Sequence, residues 1–130
     1  HSLEFPEISF VHGDVMDESI DGTPPDVVIS SLFTHHFADR EWVRLVRRMY
    51  SRANHAVIIN DLHRHWFAYH SIGLLTRVFS GSEMVKHDSR LSVLRSFRRH
   101  ELEALLKEAG IRRYSIEWKW AFRWQVILYK

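Results

Sequence analysis

The chain has 130 residues, of which 45% are hydrophobic and 13% aromatic, enough to bury the core of one globular domain and too short for two ordinary ones. The absence of cysteine excludes disulfide frameworks, thiolate zinc sites and cysteine nucleophiles, and it favours a reducing, cytoplasmic setting. The net charge of +2 requires no polyanionic partner, and no apolar run approaches the roughly 20 residues that span a membrane. Because His1 is neither an initiator methionine nor the start of a signal segment, we expect that the beginning of the natural protein is missing.

The charges are unevenly distributed along the chain. Residues 1–41 contain nine acidic residues and one basic residue, whereas residues 42–130 contain seven acidic and 17 basic residues. Such asymmetry can indicate a nucleic-acid-binding surface, but the basic residues are scattered through helical patterns instead of being gathered in one run. The favoured interpretation is a solvated basic face.

Two β-prone runs open the chain. Residues 8–11 are followed by Gly13 and Asp14, which predicts a short strand that ends in a tight turn. Residues 26–31 contain consecutive β-branched side chains without alternation. That composition is typical of a strand that is buried on both faces in a parallel sheet.

A helix and a further strand follow. Apolar residues recur at three- and four-residue spacing from Trp42 to Ala53, and Asp39 is a candidate cap for this helix. Residues 55–61 form another apolar run with polar residues at its end. Strand, helix and strand at this spacing predict a βαβ unit.

The second half combines an irregular stretch with regular elements. Residues 63–97 begin with a helical pattern and then lose a clear period, which makes them a candidate substrate-covering segment. Residues 99–109 predict a helix that ends at Gly110. An antiparallel hairpin is predicted at the end of the chain, with the last strand over residues 123–129. In its first strand one parity is expected to be buried, namely Tyr114, Ile116, Trp118 and Trp120.

Three segments carry a resemblance to a known family: residues 10–15, 26–37 and 101–111. In these segments and in the order of its elements, the chain resembles the second half of a class I S-adenosylmethionine-dependent methyltransferase. The resemblance is especially to small-molecule enzymes like those that methylate quinone and polyketide precursors. The resemblance implies an α/β, Rossmann-like fold. Its sheet would be mostly parallel, with helices on both faces and a C-terminal antiparallel hairpin.

One departure from the family pattern concerns the beginning of the domain. The family starts with a strand, a glycine-rich loop and a second strand that ends in an acidic residue, whereas the five glycines of this chain form no such loop. We therefore expect residues 1–130 to be the C-terminal part of one methyltransferase-like domain, with strands one and two absent and residues 63–97 as a variable insert or cap. Tight cofactor binding by this chain alone is not expected, and self-association through uncovered apolar surface is expected.

The resemblance implies four cofactor-binding residues. Asp14 would accept a hydrogen bond from the adenine amino group of S-adenosylmethionine, and Val15 would pack on the ring. The alternative for Asp14 is a turn-forming aspartate after a glycine. Backbone groups around Ser31 and Leu32 would face the methionine end of the cofactor.

The resemblance also implies a catalytic histidine and an acceptor pocket. His36 would face the reacting centre, where an imidazole with an ordinary pKa of about 6.5 can take a proton from a hydroxyl group. The alternative is that His36 packs beneath the sheet rim while His35 only enters a helix. Asp61 is expected to cap the helix that follows it. Contacts with a small-molecule acceptor are predicted for His35, Asn60, His63 and Trp66.

Other site chemistries are less well supported. The chain has ten histidines, but no acidic residue completes a recognised metal-binding spacing around them, so no metal site is predicted. The sequence leaves two other functions open: a methyltransferase-like interaction module that has lost catalysis, and a nucleic-acid-binding domain that uses the basic second half. A glycine-rich loop upstream would favour the enzyme, and salt-sensitive oligonucleotide binding would favour the last alternative.

Overall fold

The computed structural model describes residues 5–17, 22–62, 74–75, 77–78, 97–120 and 122–130. Its elements are, in chain order, β1 (Val27–Ser31), a 3-10 helix (Thr34–His36), α1 (Asp39–Arg52), β2 (Ala56–Leu62), α2 (Arg99–Glu108), β3 (Tyr114–Lys119) and β4 (Arg123–Tyr129). The strands form one sheet in the order β1-β2-β4-β3. The predicted α/β fold with a C-terminal antiparallel hairpin is therefore confirmed.

The strand pairing places several chain ends at one edge of the sheet. β1 and β2 are parallel, with Ser31 opposite Asn60. β4 runs antiparallel to β2, with Arg123 opposite Leu62, and it also pairs with β3 in the hairpin. The ends of β1 and β2 and the beginning of β4 consequently lie together, at an edge that we call the C-terminal edge (Ser31, Leu62 and Arg123).

The core lies between the two helices and one face of the sheet. The apolar stripe of α1 is buried as its spacing predicts, with Trp42 fully enclosed and its ring 5.8 Å from that of Phe97. β2 and β4 contribute alternate side chains to the same core, because residues two apart on a strand share a face. No helix within the described ranges is long and apolar enough to cross a membrane.

The end of α2 follows the predicted cap. Gly110 has a φ of 78°, a left-handed conformation that favours glycine, and its amide donates to the Lys107 carbonyl over 3.0 Å. The Ile111 amide donates to the Leu106 carbonyl, also over 3.0 Å. These two bonds form a Schellman motif, and the buried Ile111 side chain supplies its apolar contact.

The strand predicted for residues 8–11 is wrong. The backbone of this segment is irregular, and Phe10 and Val11 are exposed. A strand needs a neighbour that can pair with its backbone N–H and C=O groups. Within the described residues β1 is an outer strand that pairs with β2 alone, so the β-prone run has no partner there.

The prediction that β1 is buried on both faces is also wrong. Ser30 is buried and Val28 packs against the core, whereas Val27 is exposed and Ile29 is 68% exposed. The physical reason is that both α1 and α2 pack on the same face of the sheet. The helical pattern predicted early in the insert lies outside the described residues, apart from the helical residues 74–75 and 77–78. Self-association stays a prediction.

Two smaller expectations differ from the structure. In β3 the predicted parity is buried only as far as Ile116, the last residue of that strand in the core, while Trp118 is 49% and Trp120 87% exposed. Asp39 is the first residue of α1 instead of its cap, since Ala38 occupies the capping position without a side-chain bond. The charge of Asp39 still favours the first turn through the helix dipole.

Some of the basic residues on α1 have structural partners. Arg47 donates to the carbonyl oxygens of Glu108 and Ala109 at the end of α2, over 2.7 and 3.3 Å. Arg48 donates to the Met16 carbonyl over 3.0 Å. These bonds join α1 to two other segments, and a basic side chain suits the C-terminal end of a helix. They favour the solvated structural face over a nucleic-acid surface.

Candidate active site

A sharp turn leads from β1 into the 3-10 helix at the C-terminal edge. Leu32 has a φ of 52°, which is unusual for a residue other than glycine, and its amide donates to the Asn60 carbonyl over 2.8 Å. Such conformations cost free energy and concentrate at functional sites. The turn places Thr34, His35 and His36 directly beyond the ends of β1 and β2.

Asp61 is the centre of a buried hydrogen-bond cluster at this edge. One carboxylate oxygen, Oδ2, accepts bonds from the Thr34 hydroxyl over 2.6 Å and from the His35 amide over 3.0 Å. The other, Oδ1, lies 2.5 Å from His35 Nδ1 and accepts the Leu62 amide over 2.8 Å. Asp61 is only 2% exposed and His35 only 5%. Four donors thus hold one buried carboxylate.

The hydrogen bonds keep Asp61 ionised in spite of its burial. Desolvation by itself raises the pKa of the carboxyl group. The bonds from His35, Thr34 and the Leu62 amide, together with the charge interaction with His35, outweigh that effect and hold the pKa below its ordinary value of 3.8. Because an ionised carboxylate only accepts hydrogen bonds, His35 Nδ1 must carry the proton between the two groups.

The lowered pKa of Asp61 predicts a loss of stability in acid. A carboxyl group with a depressed pKa in the folded state stabilises the fold above its unfolded pKa, near 3.8, and this contribution disappears as the pH falls through the folded value. Asp61→Asn should therefore flatten the decrease in unfolding free energy between about pH 5 and pH 2, measured by urea denaturation. The control is Glu117→Gln, which removes an exposed carboxylate paired with Lys119 and should leave the slope nearly unchanged. An unchanged slope in Asp61→Asn would contradict the assignment.

His36 lies above this cluster with its side chain exposed. Its ring centroid is 4.1 Å from that of His35, and the two rings are inclined by 38°. His36 is exposed to solvent, whereas the His35 imidazole is buried and bonded to Asp61. The structure thus brings together His35 and His36, and the predicted contact of His35 with an acceptor stays a prediction.

Polar groups at the ends of β1 and β2 complete the site. Asn60 lies beside Ser31 in the parallel register, and its side-chain oxygen Oδ1 is buried. Neither that oxygen nor the buried Ser30 hydroxyl finds a hydrogen-bond partner in the part of the chain that the structure describes. Buried polar atoms are nearly always paired, with protein, water or ligand.

Asp14 and Val15 lie in a separate turn. The Asp14 carboxylate accepts the Met16 amide over 2.8 Å, and the Asp14 carbonyl accepts the Asp17 amide over 3.0 Å. This is the turn-forming arrangement that the sequence offers as the alternative for Asp14. The Asp14 side chain is exposed and Val15 packs against the core, so their contact with a cofactor stays a prediction.

Two predicted acceptor contacts, His63 and Trp66, lie outside the described residues. The helix predicted to follow Asp61 lies there as well. Asp61 instead accepts the His35 amide in the first turn of the 3-10 helix, a partner 26 residues away. In the described ranges, no group of three His, Cys, Asp or Glu side chains could hold a metal ion.

The sequence alone did not reveal that Asp61 is the centre of the buried hydrogen-bond cluster, or that the Thr34 hydroxyl donates to it. A signal for this cluster was present in the sequence. Asp61 is the carboxylate at the end of the apolar strand β2, and the parallel strand β1 leads into the polar residues 34–36. Such ends meet at one edge of a sheet, where open parallel sheets bind their ligands.

Comparisons with known proteins identify the fold. No protein-family profile and no curated protein sequence matches this chain. Human N-acetylserotonin methyltransferase, solved in complex with SAM, matches 96% of this chain over 34% of its own, with a TM-score of 0.62 and 16% identity. Magnesium protoporphyrin IX methyltransferase from Synechocystis, with bound SAH, matches 94% over 51%, with a TM-score of 0.55 and 14% identity.

A third solved structure is an O-methyltransferase family 2 protein from Planctomyces limnophilus in complex with apigenin. It matches 91% of this chain over 33% of its own, with a TM-score of 0.59 and 18% identity. The described chain therefore has the fold of small-molecule methyltransferases, which confirms that part of the resemblance. It spans between about a third and a half of the length of these three proteins.

Proposed function

We propose that the protein is an S-adenosylmethionine-dependent methyltransferase acting on a small aromatic or lipid-like acceptor of the quinone or polyketide type. Residues 1–130 would be the C-terminal part of its methyltransferase domain. The observation that carries the proposal is the C-terminal edge, where the exposed His36 imidazole lies on the buried His35–Asp61 pair. The shared fold and the fraction of the neighbours that the chain spans support it.

The groups at the C-terminal edge fit a cofactor of this kind. Ser31 and Leu32 are exposed at the end of β1, where their backbone groups would face the methionine end of S-adenosylmethionine. Asp14 and Val15 would hold the adenine. When bound, S-adenosylmethionine supplies a methyl group that is activated by a positively charged sulfur.

His36 would then act as the general base that accepts the hydroxyl proton of the acceptor. As the acceptor oxygen gains the methyl group, its hydroxyl proton would pass to a ring nitrogen of His36. An imidazole accepts a proton readily near neutral pH. The exposure of His36 lets an acceptor reach the ring. Alignment of acceptor and cofactor supplies much of the remaining rate, since the reaction needs little further chemistry from the protein.

Calorimetry with S-adenosylhomocysteine tests the cofactor assignment. We expect the full-length protein to bind it with a Kd in the micromolar range, corresponding to about −8 kcal/mol. The 130-residue chain alone should show no saturation, because the groups that hold the ribose are predicted upstream. A full-length protein that does not bind at millimolar ligand would contradict the proposed function. Micromolar binding by the isolated monomeric chain would instead contradict its assignment as a C-terminal part.

A further inference from the structure

We propose that Asp61 is a positioning residue that acts through His35 to fix the orientation of the His36 imidazole. The catalytic role of this arrangement rests on the proposed function, whereas the arrangement of the three side chains is argued only from their contacts. His35 is the link, because its ring donates to Asp61 on one side and lies against the His36 ring on the other.

The carboxylate of Asp61 determines where the 3-10 helix lies on the sheet. Asp61 belongs to β2, and the helix follows β1, so its bonds join two segments 26 residues apart. Both the amide and the imidazole of His35 donate to this one carboxylate. Fixing the backbone and the ring of the same residue leaves His35 little freedom to rotate, and the adjacent His36 ring packs on a fixed surface.

The geometry of the strained turn supports the same conclusion. Leu32 adopts its left-handed conformation directly before the helix, with its amide bonded to the Asn60 carbonyl. A conformation of this kind persists only where the surroundings enforce it. The Asn60 carbonyl and the Asp61 carboxylate are consecutive groups of β2, and together they hold both ends of the turn that carries His36.

Two substitutions separate positioning from general packing. In Asp61→Asn one acceptor oxygen is replaced by an amide group that only donates, so two of the four donors lose their acceptor in either orientation of the side chain. In Thr34→Val a single donor is removed, and both bonds from His35 remain. The two variants are close in shape to the native residues, and only the first one disturbs His35.

Nuclear magnetic resonance of the histidine side chains in the full-length protein and its variants tests the geometry at neutral pH. In the unmodified chain we expect an exchange-protected His35 Nδ1 proton and nuclear Overhauser effects between the rings of His35 and His36. Asp61→Asn should weaken both signals while the amide resonances of β4 are retained, because one of the two His35 bonds loses its acceptor in either orientation of the amide. Thr34→Val should keep both signals at full strength. The proposal is overturned if the unmodified chain lacks the ring contacts, if Asp61→Asn retains them at full strength, or if Thr34→Val weakens them equally.

Kinetics of the full-length protein provide the second readout, with methyl-labelled S-adenosylmethionine and a panel of phenols as acceptors. Asp61→Asn should lower kcat about 10- to 100-fold and change KM less than about 3-fold, because misplacement of a reacting group affects mainly the chemical step. In a His36→Ala background the same substitution should change kcat by less than about 3-fold. Independent, multiplicative effects would refute positioning while leaving the proposed function intact. Absence of methyl transfer together with the expected resonance data would refute the function and leave the geometry standing.

Discussion

His36→Ala in the full-length protein is expected to lower the rate of methyl transfer about 10²- to 10⁴-fold, the usual span for a group that transfers a proton. The His36 imidazole is exposed at the C-terminal edge, while the His35 imidazole beneath it is buried and bonded to Asp61. The rate is measured with labelled S-adenosylmethionine under saturating acceptor. Cofactor affinity should change little, because His36 would face the acceptor.

Asp14→Ala is the matched control for this experiment. Its exposed carboxylate is proposed to contact the adenine, so its loss should weaken cofactor binding by about 2- to 10-fold, the value of one ordinary hydrogen bond. The rate at saturating cofactor should be nearly unchanged. Full turnover by His36→Ala between pH 6 and pH 8 would show that His36 is not the base.

Trp42→Ala is expected to cost about 3–5 kcal/mol of unfolding free energy, the range typical of truncating a large aromatic side chain in a core. The Trp42 side chain is fully buried between its own helix α1, Phe97 and the rest of the core, so its removal leaves a cavity that rigid neighbours cannot fill. Trp42→Phe should cost much less, because it keeps an aromatic ring in the core. It also removes the buried indole N–H, which has no hydrogen-bond partner among the described residues.

Trp120→Ala controls for the loss of a tryptophan as such. That side chain is largely solvent-exposed, so its replacement should change the unfolding free energy by less than about 0.5 kcal/mol. Chemical denaturation of the three variants at equal protein concentration measures the difference. A cost below about 1 kcal/mol for Trp42→Ala would mean that α1 does not pack as described.

The regular elements could be predicted because their patterns are local. The spacing of apolar residues in α1, the β-branched run of β2 and the alternation in the hairpin each report a buried face without knowledge of the partner. The glycine after α2 marked its end for the same reason, since Gly110 requires a left-handed backbone. Residues 8–11 show the limit, because a strand depends on a neighbour that local composition does not specify.

The core of the candidate site could not be predicted because it depends on register. Only when Ser31 lies beside Asn60 does Asp61 come within reach of the turn after β1 and bond His35. The same dependence on neighbours explains β1, where Ile29 reads as a core residue but faces the side of the sheet without a described helix. The family resemblance predicts a role for His36, whereas the packing of its ring on the buried His35–Asp61 pair is seen only in the structure.

Transfer of a labelled methyl group tests the proposed activity most directly. The full-length protein would be incubated with S-adenosylmethionine labelled in its methyl carbon. Separate reactions would contain the small-molecule, protein and RNA fractions of a cell extract. The proposed function predicts that label accumulates in the small-molecule fraction and that this transfer depends on His36. Label found only in protein or RNA, or in no fraction although calorimetry shows that the cofactor is bound, would contradict it.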